Sequence, residues 1–279
     1  MLLPLIATTC SPATLVNFLV PADGYRLTKD QAYGAYARQT LDIYQPTAAK
    51  DLAPVVVFFY GGNWQSGEKN DYLFVAEALA SRGFVVVVPD YRLYPDVLYP
   101  TFLEDGAAAV SWTLANLSAW GGDPKRVFLM GHSAGAYIAA MLALDGRWLG
   151  PRRAQVTAMV GLAGPYDFLP LVDPTLKIIF ATEPDLTRTQ PITFVDGNEP
   201  PILVISGEGD STVRVGNSQR LAAKIRASGG IAQERYYPGV SHLALVGSLA
   251  APIRFLAPTI EDVTAFLSAE PNSPSPDSP

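Results

Sequence analysis

Cysteine and histidine are almost absent from this 279-residue sequence, which contains one cysteine, Cys10, and two histidines, His132 and His242. A single cysteine excludes a disulfide within the chain, and these three side chains are too few for a cysteine/histidine metal cluster. We therefore expect no metal site of that kind. Any reaction that requires an imidazole base is restricted to one of two positions.

Charged side chains are also scarce, at 16% of the sequence, and 20 Lys and Arg against 26 Asp and Glu give a net charge of −6. No basic stripe is present that could attract a phosphate backbone, so we expect no nucleic-acid partner. The body of the chain also lacks an apolar run long enough to span a membrane. What the sequence does contain is 49% hydrophobic residues, enough for a large core.

Strand and helix patterns alternate along the chain. After a hairpin-like stretch at Tyr25–Tyr44, apolar runs predict strands at Val55–Tyr60, Phe84–Val88, Val127–Met130, Val156–Leu162, Ile202–Ser206 and Gln233–Tyr237. Amphipathic patterns predict helices at Asp71–Arg82, Leu103–Trp120, Ala134–Leu144, Val215–Ala227 and 259–268. This alternation predicts one α/β domain over residues 25–269, with a mostly parallel central sheet and helices on both faces. A short lid-like insertion is expected at 163–201, which is rich in Pro, Asp and Thr.

The two ends of the chain differ from this body. Residues 1–24 form an N-terminal segment with a short helix expected at 13–24, and the Pro- and Ser-rich tail 270–279 is expected to be disordered. Residues 7–12 loosely resemble a bacterial lipobox, in which Cys10 would carry a lipid anchor, although a cationic leader is missing and Thr precedes the cysteine. Two interpretations stay open: a truncated signal of a periplasmic, membrane-anchored lipoprotein, or an incidental thiol in a cytoplasmic protein.

The sequence Gly131-His132-Ser133-Ala134-Gly135 lies between a predicted strand and a predicted helix. In this position a G-x-S-x-G pattern is typical of a nucleophile elbow, whose tight turn requires glycine on both sides and exposes the serine hydroxyl. With 23 glycines in the chain, the bare pattern can also arise by chance. Its position between a strand and a helix is what favours a nucleophile elbow. Ser133 is the candidate nucleophile.

A serine hydroxyl needs a base to remove its proton during attack. His132 is the neighbour of Ser133 in a tight turn where consecutive side chains diverge, so His242, in a loop after the final predicted strand, is the expected base. Asp210 follows the strand before it and completes the chain order Ser…Asp…His. Four other carboxylates remain as alternatives for the third member: Glu208, Asp173, Asp185 and Asp196.

Acyl transfer also requires N–H donors for the oxyanion that forms on the carbonyl oxygen. The backbone N–H of Ala134, directly after the candidate nucleophile, is one expected donor. Gly62 and Asn63, in a glycine-rich loop after the strand that ends at Tyr60, are the others, because glycine lets the backbone approach a substrate closely.

Taken together, these motifs resemble the α/β-hydrolase superfamily, and within it the BD-FAE-like and hormone-sensitive-lipase-like carboxylesterases. The matching stretches are 59–64, 89–93, 120–127 and 131–135, together with Asp210 and 239–242. The resemblance implies a small-molecule ester substrate, no metal or organic cofactor, and structural roles for Asp90, Arg92 and Asp123. One departure stands out: Tyr60 occupies the position where the family usually has the histidine that braces the oxyanion loop.

The sequence therefore predicts a serine carboxylic-ester hydrolase that acts through Ser133, Asp210 and His242 and an acyl-enzyme, on small or short-acyl esters. Two alternatives remain: an arylformamide or amide hydrolase with the same machinery, and a non-catalytic binding module of the same fold. Candidate pocket walls are Trp64, Tyr166, Phe168 and Leu169, although each is also a common core residue type. No element has the pattern of an interface, so the oligomeric state is left open.

Overall fold

The computed structural model describes residues 16–49 and 51–269. Eight strands form one sheet, because runs of Val, Ile, Phe and Tyr bury their side chains on its two faces. They are β1 (Tyr25–Ala32), β2 (Thr40–Pro46), β3 (Ala53–Phe59), β4 (Val85–Pro89), β5 (Gly122–His132), β6 (Val156–Leu162), β7 (Ile202–Gly207) and β8 (Ala232–Tyr237).

The strand order across the sheet is β1-β2-β4-β3-β5-β6-β7-β8. β2 pairs antiparallel with β1 and with β4, and every later pair is parallel. The prediction of a mostly parallel sheet is confirmed. Because parallel strands end at the same edge, the loops that follow β3, β5, β7 and β8 lie at one edge of the sheet, where folds of this kind place their sites.

Helices cover both faces of this sheet and explain why the inner strands are apolar on both sides. They are α1 (Leu73–Ala80), α2 (Thr101–Asn116), α3 (Ala134–Leu144), α4 (Gly146–Leu149), α5 (Pro174–Ile179), α6 (Gly216–Ala227), α7 (His242–Gly247) and α8 (Thr259–Ser268). All eleven residues of α3 are buried, because its many alanines let the helix pack closely against the sheet and its neighbours. Within the described ranges no helix is long and apolar enough to cross a membrane.

Most predicted elements appear within a few residues of their expected bounds. Three differ in a way that matters for the site. β5 begins at Gly122, five residues before the predicted start of this strand at Val127. His242 does not lie in an open loop but is the first residue of α7. The insertion at 163–201 contains α5 and two short 3-10 helices, Leu186–Thr189 and Pro191–Phe194, joined by irregular backbone.

Predictions for the chain ends are only partly addressed by the structure. Residues 16–18, within the helix predicted at 13–24, are helical. Cys10 and the lipobox-like residues 7–12, like the tail 270–279, lie outside the described residues.

Candidate active site

The turn between β5 and α3 has the geometry of a nucleophile elbow. Ser133 lies in the left-handed half of backbone space, with φ 55° and ψ −123°, where a residue with a Cβ is strained. A Cβ on Gly135 would lie 2.0 Å from the Phe59 carbonyl oxygen, and one on Gly131 would lie 2.3 Å from the carbonyl carbon of Gly135. The glycines on both sides of Ser133 are therefore required by space, as the sequence pattern predicts.

His242 and Asp210 come together at the same edge of the sheet, from the segments that follow β8 and β7. His242 Nδ1 lies 2.6 Å from Asp210 Oδ2, and both side chains are nearly or fully buried. The other carboxylate oxygen, Oδ1, accepts hydrogen bonds of 2.8 Å from the backbone N–H groups of Thr212 and Val213. These bonds hold the carboxylate in one orientation, so that Nδ1 of His242 carries the proton and Nε2 is left for chemistry.

The four alternative carboxylates, Glu208, Asp173, Asp185 and Asp196, are all exposed. In the described part of the chain, no hydrogen bond or ion pair joins any of them to His242, whereas Asp210 makes both. Asp173 and Asp185 instead accept hydrogen bonds from backbone N–H groups at the starts of short helices. Burial and a bond to the imidazole therefore distinguish Asp210 from all of them.

His132 has a contact that its place in the motif did not predict. It is almost fully buried, its ring lies 4.7 Å from that of His242, and its Nε2 lies 3.3 Å from the His242 carbonyl oxygen. Burial, and secondarily the neighbouring imidazole, lowers the pKa of His132 from 6.5 to about 3. His132 is thus a neutral N–H donor that supports the backbone of His242. The G-x-S-x-G pattern identifies only Ser133, and no feature of the sequence predicts the contact between His132 and His242.

This depressed pKa predicts a pH dependence of stability. A histidine whose folded-state pKa lies below its unfolded value stabilises the fold above pH 6.5, and that contribution is lost as the pH falls towards 3. We expect the free energy of unfolding, measured with urea, to fall by about 2 kcal/mol between pH 7 and pH 5 through this group. His132→Asn should show a pH dependence weaker by that amount. An identical pH dependence in the two proteins would contradict the assignment.

The segment 60–69, which follows β3 and which we call the oxyanion loop, presents its backbone to the same edge. Asn63 and Trp64 have positive φ values of 55° and 59°, and Gly62 has φ 130°. A Cβ on Gly62 would lie 2.0 Å from the Ser66 carbonyl oxygen, so the turn accepts only glycine there. Ala134 is the first residue of α3, where backbone N–H groups have no acceptor within the helix. The predicted N–H donors therefore come from two segments, the loop after β3 and the start of α3.

A cavity of about 660 Å³ joins these groups. The predicted nucleophile, base and oxyanion donors all line it: Gly62, Asn63, Ser133, Ala134 and His242. The insertion at 163–201 forms another part of its wall, with Pro165, Phe168, Pro170, Leu171, Val172, Asp173 and Leu176. The lid-like insertion predicted from sequence is therefore a wall of the cavity.

Two of the four predicted wall residues line the cavity and two do not. Trp64 and Phe168 do, with ring centroids 6.2 Å apart. Tyr166 is fully buried beside Gly161 and Gly164, and Leu169 packs partly buried against the core. Neither is among the residues that line the cavity. We therefore place Tyr166 and Leu169 in the core.

Asn217 lines the cavity and ties this wall to the body of the protein. Its Oδ1 accepts hydrogen bonds of 3.0 Å from the backbone N–H groups of Tyr166 and Asp167. From the other side, the buried Gln190 accepts a 2.7 Å bond from the N–H of Phe168. Sequence reasoning missed both residues, because a polar side chain in an irregular segment gives no local sign of its long-range partner.

The sequence is similar to a known family and to known esterases. The model of the BD-FAE family matches residues 41–225, which cover about two thirds of the chain. The isoprenylcysteine alpha-carbonyl methylesterase of Arabidopsis thaliana is 31% identical over 96% of this chain, which spans 69% of that protein. A probable carboxylic ester hydrolase of Mycobacterium tuberculosis is 30% identical over 71% of this chain, which spans 51% of that protein.

Two solved structures of similar fold are those of esterases. A truncated carbohydrate esterase from gut microbiota superposes with a TM-score of 0.79 at 23% identity, covering 91% of this chain and all of that one. Esterase B from Lactobacillus rhamnosis gives a TM-score of 0.78 at 21% identity, with 91% and 89% coverage. The sheet, the elbow and these relatives agree: the chain belongs to the BD-FAE family and is a carboxylesterase of the α/β-hydrolase fold.

Proposed function

We propose that Ser133, His242 and Asp210 form the catalytic triad of this esterase. Ser133 Oγ attacks the ester carbonyl carbon while its proton passes to Nε2 of His242. When the carbon–oxygen bond to the alcohol breaks, the same imidazole returns the proton to the leaving alkoxide. A water molecule, deprotonated by His242, then hydrolyses the acyl-enzyme, which releases the carboxylic acid and restores Ser133.

Asp210 orients the imidazole in this scheme and stabilises its protonated form. The backbone N–H groups of Gly62, Asn63 and Ala134 stabilise the negative charge on the carbonyl oxygen of the tetrahedral intermediate. Because these donors belong to strained or helix-terminal backbone, they are oriented before the substrate binds. Such preorganisation is the usual source of the largest rate term in acyl transfer.

One observation carries this proposal: the 2.6 Å contact between His242 and the doubly hydrogen-bonded carboxylate of Asp210, at the cavity that Ser133 also lines. A fluorophosphonate probe tests it, since such probes react only with an activated serine. We expect a covalent adduct on the peptide that carries Ser133, and greatly reduced labelling in His242→Ala. Absence of an adduct on the native protein would contradict this triad.

The substrate class follows from the chemistry of the cavity wall. We infer that the site takes neutral esters with a short acyl group. Trp64 lines the cavity and packs against Tyr137 and Phe180 at 5.1 and 5.2 Å between ring centroids, so an aromatic cluster blocks extension past the indole. Comparing turnover of matched ester and amide substrates would distinguish this esterase from an amide hydrolase with the same machinery.

The exposed part of the cavity wall includes two large apolar side chains. Val172 and Leu243 line the cavity with 80% and 72% of their surface exposed, and Leu243 directly follows His242. Among the described residues no lysine or arginine lines the cavity, and Asp173 is its acidic lining residue. An anionic substrate would therefore lose hydration without gaining a cationic partner.

We accordingly expect discrimination between two nitrophenyl esters of similar size, the neutral butyrate and the anionic hemisuccinate. The kcat/KM for the hemisuccinate should be lower by about tenfold or more, because one carboxylate must be desolvated beside Asp173. Asp173→Asn, which keeps a side chain able to cap α5, should recover part of the difference. Equal kcat/KM values for the two esters would contradict this assignment of substrate class.

A further inference from the structure

The oxyanion loop, residues 60–69, holds an unfavourable conformation. Asn63 and Trp64 are consecutive non-glycine residues with positive φ, and such backbone persists only where surrounding contacts hold it. The loop begins with Tyr60, whereas the family resemblance leads us to expect a histidine at this position. The structure shows which contacts hold the loop instead.

Tyr60 is held at three points. Its hydroxyl donates a 2.8 Å hydrogen bond to Asp90 Oδ1, and its carbonyl oxygen accepts one of 2.8 Å from the Tyr91 hydroxyl. Its ring lies between those of Tyr72 and Tyr91, at centroid distances of 5.5 and 4.7 Å. Burial raises the pKa of the Tyr60 phenol well above its usual value, so the hydroxyl keeps the proton it donates.

Arg38, from the turn between β1 and β2, ties the two ends of the loop together. Its Nη2 donates 2.7 Å hydrogen bonds both to the Tyr60 hydroxyl oxygen and to the Gly67 carbonyl oxygen. Its Nε donates a 2.8 Å bond to the carbonyl oxygen of Tyr91. A single planar guanidinium thus contacts the start of the loop, its end, and the segment after β4.

Asp90 accepts hydrogen bonds from both ends of the oxyanion loop. Oδ1 accepts the Tyr60 hydroxyl and also the backbone N–H of Lys69, at 2.8 Å, and lies 3.7 Å from Arg38 Nη2. The carboxylate therefore holds the first residue and the last residue of the oxyanion loop at one oxygen atom. Asp90 is largely buried, and burial raises the pKa of its carboxyl, whereas the Tyr60 hydroxyl, the Lys69 N–H and Arg38 act in the opposite direction.

We propose that Arg38, Tyr60 and Asp90 form a clamp that positions the oxyanion loop for catalysis, with Arg38 as a positioning residue. This inference rests on the proposed function, since it assigns the N–H groups of Gly62 and Asn63 to the oxyanion. The clamp residues are not among those that line the cavity, and they act through the backbone of the loop. Loss of the clamp should therefore weaken transition-state binding more than substrate binding.

Arg38→Ala tests the proposal directly. We expect kcat for a short-chain nitrophenyl ester to fall about tenfold with KM changed less than twofold, because the loop donors are displaced, not removed. The Arg38 side chain is 32% exposed, so a free guanidinium ion can reach the space it leaves. Millimolar guanidinium chloride should restore part of kcat in Arg38→Ala, and sodium chloride at the same concentration should not.

Arg153→Ala is the matched control. Arg153 also joins separate segments through backbone carbonyl oxygens, donating 3.0 Å bonds to Leu144 and Asn198, but it contacts neither the oxyanion loop nor the cavity. Its replacement should lower thermal stability while kcat stays within about twofold and shows no response to guanidinium. An equal fall of kcat in both variants would reduce Arg38 to an ordinary structural residue.

Tyr60→Phe keeps the proposal testable if Arg38→Ala does not fold. This variant retains the stacked ring and removes only the hydroxyl, and we expect a fall of about fivefold in kcat. In the double variant Arg38→Ala/Tyr60→Phe, the fold reduction of kcat should be smaller than the product of the two single reductions. Both single variants remove the same hydrogen bond between Arg38 and Tyr60. Unchanged kcat in both folded single variants would overturn the clamp. Activity that persists in Ser133→Ala would instead overturn the triad on which the clamp depends.

Discussion

Ser133→Ala is expected to reduce kcat/KM for a short-chain nitrophenyl ester by about 10⁴-fold or more while the protein stays folded. The mutation deletes the nucleophile, and what remains is the weak contribution of the oxyanion donors to attack by water. The fold should tolerate the change, because alanine occupies the same strained backbone at φ 55° with no larger side chain. The measurements are steady-state kinetics and a thermal melt.

Ser66→Ala provides the matched control for this prediction. Ser66 and Ser133 are the serines that line the cavity among the described residues, and the Ser66 hydroxyl donates a long bond, 3.3 Å, to the Gly62 carbonyl oxygen. We expect its loss to reduce kcat/KM by less than tenfold. Comparable losses in the two variants would show that a serine in this cavity matters for a reason other than nucleophilic attack.

Asp210→Asn is expected to reduce kcat by about 10³- to 10⁴-fold with little change in KM. Oδ1 of Asp210 accepts backbone N–H groups from Thr212 and Val213, so the amide oxygen of asparagine must take that position. The amide NH₂ then faces Nδ1 of His242, which becomes an acceptor, and the proton moves to Nε2. An imidazole protonated at Nε2 cannot take the proton of Ser133.

Asp145→Asn controls for the loss of a buried carboxylate. Asp145 is also buried and also accepts a backbone N–H, from Arg147, but it does not line the cavity. This variant should lose stability and keep kcat within a few-fold of the native value. If Asp210→Asn lost less than tenfold in kcat while remaining folded, another group would have to orient His242.

The parts of the site that the sequence predicted are those encoded locally. The elbow is one pentapeptide whose glycines are required by space, and the order of strands places Ser133, Asp210 and His242 at one sheet edge. The base could be predicted because the sequence has only two histidines, and one of them belongs to the elbow itself. Asp210 and Glu208 both follow β7 closely in sequence, and the burial of Asp210 distinguishes the two carboxylates in the structure.

What sequence reasoning missed depends on contacts between distant segments. Arg38 meets Tyr60 and Tyr91 across 22 and 53 residues of sequence, and it lies in a turn that has no catalytic motif. Tyr166 and Leu169 are candidate wall residues in the sequence and pack against the core in the structure, because irregular backbone has no period from which the direction of a side chain can be predicted. His132 shows the same limit, since its contact with His242 spans 110 residues.

Direct detection of the acyl-enzyme is the most direct test that Ser133 is the nucleophile. The native protein would be mixed with a short-chain nitrophenyl ester, quenched in acid within the first turnovers, digested and examined by mass spectrometry. We expect the peptide that carries Ser133 to gain the mass of the acyl group, and the same peptide of Ser133→Ala to gain none. Acylation of another residue, or turnover with no acylated peptide at any time point, would contradict this assignment.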